Sequence, residues 1–215
     1  MEKYLREPIN GLTHFIGAIL SVLALIALTL KSIFDIGTAV AIVSSIMFGI
    51  SMILLYSASA TYHSVISTDK VIKNLKKLDH SMIFILIAGS YAPYCLIALH
   101  NKVGYILFTA VLSFGIAGII FKMFWVTCPK WVSSVMYIAV GWFAIFAIYP
   151  LSKVLPTGGF ILLVLGGIMY TIGGVIYALK SERIKIGSFG NHEIFHIFIM
   201  LGTLCHFLSV FFYVL

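Results

Sequence analysis

Residues Thr38–His63 read TAVAIVSSIMFGISMILLYSASATYH. No Asp, Glu, Lys or Arg interrupts the run, and roughly 20 apolar residues are enough to cross a bilayer. The stretch therefore reads as a membrane-spanning helix, and it decides the class of the protein. Its last turns differ from the rest. Tyr56, Ser57, Ser59, Thr61, Tyr62 and His63 give one end of an apolar helix a polar rim.

Six further apolar runs flank it: Leu12–Leu30, Ser81–Leu99, Val103–Phe121, Val132–Pro150, Gly159–Leu179 and Ile194–Leu215. They leave only short loops in a chain of 215 residues that is 61% hydrophobic and 10% charged, with mean hydropathy +1.11. So little charge excludes a soluble domain of this size. The expected architecture is all-α: one integral domain over residues 1–215 with seven transmembrane helices, multi-pass in the plasma (inner) membrane. Leu12–Leu30 has about 19 residues, longer than the roughly 7–15 of a signal-peptide core, so it is expected to be a retained helix. Pro8 and Asn10-Gly11 lead into it. No internal repeat, low-complexity segment or linker is evident.

Basic residues set the expected orientation. Lys3, Arg6, Lys70, Lys73, Lys76, Lys77, Lys122, Lys130, Lys180, Arg183 and Lys185 fall on one side by this span order, and only Lys31, Lys102 and Lys153 on the other. The positive-inside rule then puts the N-terminus in the cytoplasm and the C-terminus outside. The basic loops suit anionic headgroups of the inner leaflet. They are scattered near the membrane, so nucleic acid is not an expected partner; membrane lipids are. The sequence sets no oligomeric state.

Within the spans, Pro93 should break the ladder of the third helix and free a carbonyl near Gly89. Gly166-Gly167 and Gly173-Gly174 put small residues on one face of the sixth helix, which permits close packing. Cys95, Cys128 and Cys205 have no zinc-ligand spacing, and an odd count argues against a disulfide framework; they read as packing residues or free thiols.

An ionisable group inside a membrane span is expensive and usually marks function. By the span order, His63 ends the second helix, Asp79 opens the third, and His192 and His196 open the seventh, all at the cytoplasmic end. His100 falls at the opposite end. His192 and His196 are four residues apart and share a helix face. That pair is a natural zinc clamp, and His63 can supply a third nitrogen. Three His with a water in the fourth position is the open, catalytic kind of site. Asp79 would then hold and deprotonate the water. Ser59, one turn before His63, can donate a supporting hydrogen bond. His14 and His206 read instead as helix–helix hydrogen-bond partners. His192-Glu-Ile-Phe-His196 also matches the H-E-x-x-H pattern of zinc proteases, with Glu193 as base.

These residues together resemble the hemolysin III family. It is the bacterial branch of the progestin and adipoQ receptors, in a superfamily that also holds alkaline ceramidases. The matching pieces are Ser59-Ala-Thr-Tyr-His63, Lys77-Leu-Asp79-His80-Ser81, Gly89-Ser-Tyr-Ala-Pro93, His192-Glu-Ile-Phe-His196 and Pro8-Ile-Asn10-Gly-Leu-Thr-His14-Phe-Ile-Gly17. The resemblance spans essentially the whole chain. It implies seven helices and a zinc ion near the cytoplasmic leaflet. It implies ligands at His63, His192 and His196, a water between zinc and Asp79, and Ser59 behind them. Four functions follow as expectations. The first is a zinc-dependent hydrolase of a lipid amide, such as ceramide, or of an acyl ester. The others are a non-enzymatic membrane sensor or homeostasis protein with structural zinc, a membrane-damaging haemolysin, and an intramembrane protease using Glu193.

Overall fold

The computed structural model describes residues 5–179 and 189–215. Lys3, Lys180, Arg183 and Lys185, which enter the charge argument, lie outside the described residues. Among the described residues, seven helices are long and apolar enough to cross a membrane: α1 (Pro8–Ile36), α2 (Ala39–Ser64), α3 (Asp69–Leu99), α4 (Lys102–Phe124), α5 (Lys130–Val154), α6 (Thr157–Leu179) and α7 (Asn191–Tyr213). Successive helices pack side by side, and α7 returns to α1, which closes a ring. Large apolar side chains such as Phe15, Leu23, Phe114, Phe146 and Phe212 face outward. That arrangement is stable only in lipid, where no water penalises exposed hydrocarbon.

The helices begin and end where local chemistry dictates. Pro8 starts α1, because its missing N–H and fixed φ suit the first helical position. Helix α3 starts at Asp69 rather than Ser81. Lys70, Lys73, Lys76 and Lys77 therefore stand on helix, not in a loop. Val71, Ile72, Leu75 and Leu78 keep helical spacing there, and Asp69 complements the positive end of the helix dipole.

At Pro93 the helix α3 passes from α to π geometry, as expected where an N–H is lost. Helix α5 holds a break that hydropathy does not reveal: a 3₁₀ stretch at Trp142–Ala147. The backbone groups freed there find Tyr91 of α3. Its hydroxyl donates to the Gly141 carbonyl at 2.5 Å and accepts from the Ala144 amide at 2.8 Å. At membrane depth such groups have no water to bond, so a side chain must serve them.

The glycines of α6 divide their work. Gly166 packs on His206 of α7 and Gly173 on Phe198, and a Cβ at either would collide. Gly174 instead faces Ile138 of α5, while a Cβ at Gly167 would meet open space. Lys122 corrects the loop assignment. It lies in the last turn of α4, fully buried, and donates to Cys128 Sγ at 3.1 Å and to the Ser133 hydroxyl at 2.5 Å. The short Trp125–Pro129 connection folds back over it, so its charge is held by sulfur and hydroxyl. The three cysteines are free.

Candidate metal centre

His63 ends α2, and His192 and His196 sit in the first turns of α7. Each can offer one nitrogen such that all three lie within 4.8 Å of one another. His63 and His196 are almost fully buried. The Nε2 atoms of His63 and His192 are 3.3 Å apart. Two nitrogens bound at about 2.0–2.1 Å to one tetrahedral ion would sit about 3.3 Å apart. The separation is long for a hydrogen bond and right for one edge of such a site. Among the described residues, His192 Nδ1 has no hydrogen-bond partner. Three imidazoles of this kind could hold a metal ion, and the donor set fits a borderline metal such as zinc.

The supporting residues come from four helices. The lead-in to α1 is strapped to the end of α2: the Glu7 amide donates to the His63 carbonyl at 2.9 Å, and Arg6 donates to the Tyr62 carbonyl at 2.6 Å. The strap delivers Glu7 to the His63 ring, where Nδ1 meets Oε2 at 2.7 Å. Burial pushes the Glu7 carboxyl up, but the His63 hydrogen bond and charge, with Asn10, outweigh it and hold it at about 2. Asn10 spans two acids, donating at 3.0 Å to Glu7 and at 3.0 Å to Glu193. Glu193 in turn accepts from the Gly190 amide at 2.9 Å and caps α7. Glu193 thus caps α7 and ties it to Asn10 of α1.

Asp79 is buried and stands outside the three-histidine set. His80 Nδ1 meets its Oδ2 at 3.0 Å, and the Ser59 side chain stands close to its carboxylate. His14 stacks face to face on His196, ring centroids 3.7 Å apart. Asp79, Ser59, His14, His192 and His196 all line one cavity of about 460 Å³ that runs into the apolar interior. His14 and His206 both depart from the reading as helix–helix hydrogen-bond partners: among the described residues, neither ring nitrogen of either has a partner. The His206 ring is wedged against Gly166 and turned towards the same cavity.

A family model described as "Haemolysin-III related" matches residues 2–207. The chain is 42% identical over 216 residues to "Hemolysin-3" of Bacillus cereus, covering 100% of this chain and 95% of that protein. It is 39% identical over 208 residues to the "Hemolysin-3 homolog" of Bacillus subtilis (strain 168), covering 96% and 93%. The chain belongs to the haemolysin III family. As a member of that family with seven apolar spans, it is a multi-pass membrane protein.

The haemolysin III motifs bring His63, His192 and His196 together and set Asp79 and Ser59 on the adjoining cavity wall. His100 ends α3 and is exposed. The sequence reading missed Glu7 and His80. His80 follows Asp79 directly and could have been weighed with it. Glu7 lies in no span and 56 residues from its partner, so no spacing rule finds it.

Proposed function

We propose that this protein is a zinc-dependent lipid hydrolase acting on an amide or acyl ester at the cytoplasmic leaflet. The observation that carries the reading is the continuity of one cavity from the histidine cluster and Asp79 into a sleeve of apolar side chains. Ile83, Leu86, Ile87, Leu107, Leu163 and Ile199 line that sleeve. A pocket of a few hundred Å³ with a few convergent polar groups at one end is the usual form of a small-molecule site. Here the polar end suits a carbonyl and the apolar end an acyl chain.

Zinc, when bound by the three imidazoles, supplies Lewis acidity towards a carbonyl oxygen and acidifies a neighbouring water. The protein supplies the rest. Asp79 accepts the proton of the attacking water through its carboxylate and passes it to the leaving amine or alcohol. His80 and Ser59 hold that carboxylate in one orientation. Glu7 fixes His63 with Nδ1 as donor, which leaves Nε2 free for the metal. The apolar wall excludes bulk water and retains the tail. Lys70, Lys73, Lys76 and Lys77 on the projecting first turns of α3 attract anionic headgroups to this end.

A structural-metal reading is favoured by one observation: the Glu7–Asn10–Glu193 chain already ties α1, α2 and α7 around the cluster. The same experiment separates the two. Asp79→Asn should lower lipid turnover by about 10²–10⁴ with metal still bound, the usual range for loss of a general base. Glu193→Gln should leave most activity, since the Asn10 contact survives. Full activity in Asp79→Asn would refute the hydrolase reading, and a dead, metal-loaded Glu193→Gln would favour a protease.

A further inference from the structure

His206 is a second polar point in the same cavity, far from the histidine cluster. It lies ten residues beyond His196 on α7, which is about 15 Å along the helix axis. Its ring is more than nine-tenths buried, lines the cavity, and has no hydrogen-bond partner on either nitrogen among the described residues. An unpaired buried polar group carries a desolvation cost, so a structural imidazole here would ordinarily be bonded or replaced by an apolar residue. The neighbours do not supply that bond. Tyr170 and Tyr56 both direct their hydroxyls at Thr203, which itself donates to the Ile199 carbonyl. The Tyr94 hydroxyl reaches the backbone carbonyl of His206, at 3.5 Å, and not its ring. Both tyrosine rings that flank the imidazole meet it by ring contact, Tyr94 at 6.0 Å and Tyr170 at 5.3 Å between centroids. Gly166 lets the ring sit where it does, since any side chain there would displace it.

We propose that His206 is a ligand-recognition residue for an oxygen carried along the acyl chain, roughly 15 Å from the carbonyl end. The favoured ligands are hydroxy- or oxo-acyl lipids rather than plain saturated chains. A neutral imidazole offers one donor nitrogen and one acceptor nitrogen, so a chain hydroxyl can accept from the N–H or donate to the bare nitrogen while Tyr94 and Tyr170 enclose the chain. This rests on the hydrolase reading only in placing the carbonyl end at His63, His192 and His196.

The test uses purified full-length protein in lipid nanodiscs and displacement of a fluorescent fatty acid. The competitors are stearic acid, 12-hydroxystearic acid and 2-hydroxystearic acid. The wild type should prefer the 12-hydroxy acid over stearic acid by roughly tenfold, the scale of satisfying one buried polar group. The 2-hydroxy acid should gain no such preference. His206→Leu should bind stearic and 12-hydroxystearic acid alike, and His206→Gln, which keeps a donor and an acceptor, should retain part of the preference. Equal wild-type affinity for the three acids, a preference that persists in His206→Leu, or no binding at all would overturn the proposal. A His206-dependent preference with the absolute affinities of both acids unchanged in His63→Ala would uphold the subsite and defeat the placement of the carbonyl end at the histidine cluster on which the hydrolase reading rests. Loss of both acids in His63→Ala without any wild-type preference would do the reverse.

Discussion

The Glu7 carboxylate decides which nitrogen of His63 is free. By accepting from Nδ1 at 2.7 Å it leaves Nε2 facing His192, and this pairing is what makes the cluster a site and not a heap of imidazoles. Partners of this kind typically carry 10–100-fold in metal affinity. Glu7→Ala should therefore weaken zinc binding by about that range in a chelator competition, and Glu7→Gln by less, because its amide oxygen still accepts. Unchanged affinity in Glu7→Ala would show that the strap plays no part in the site. The histidines and Asp79 were legible in sequence because i, i+4 spacing and a shared membrane depth are both periodic signals. Glu7 was not, because its approach depends on the backbone strap between Arg6-Glu7 and His63-Ser64.

Each span was legible as an element, since a run of apolar residues has one stable solution in lipid. What hydropathy could not show is geometry that leaves composition unchanged. The charged residues Lys70–Lys77 hid the first turns of α3, although helix tolerates charge where it projects from the bilayer. The 3₁₀ break in α5 has no apolar signature, and its stabilising partner sits on another helix. Tyr91→Phe removes the hydroxyl that serves the Gly141 carbonyl and the Ala144 amide. It should destabilise the protein by about 1–3 kcal/mol, read as a lowered midpoint in thermal unfolding in detergent. A midpoint equal to wild type would mean that the break satisfies its own backbone.

For the whole molecule, ring closure of α1 against α7 brings the two ends of the sequence to one metal-sized cluster. Orientation across the membrane follows from charge. Even without the buried Lys122, the order of spans in the sequence assigns ten basic residues to one side and three to the other, which is the expectation to be tested. A reporter fused after Leu215 should be active outside the cell and silent in the cytoplasm, and the opposite result would invert the leaflet assigned to the site. Family membership was legible from motifs spread over the chain, whereas the continuous cavity that links Asp79 to His206 exists only once the helices have packed. The most direct measurement on the central claim is the zinc content of the purified protein. Wild type should carry one zinc per chain, and a folded His63→Ala, His192→Ala, His196→Ala variant should carry none. Stoichiometric zinc in that triple variant, or none in the wild type, would contradict the account.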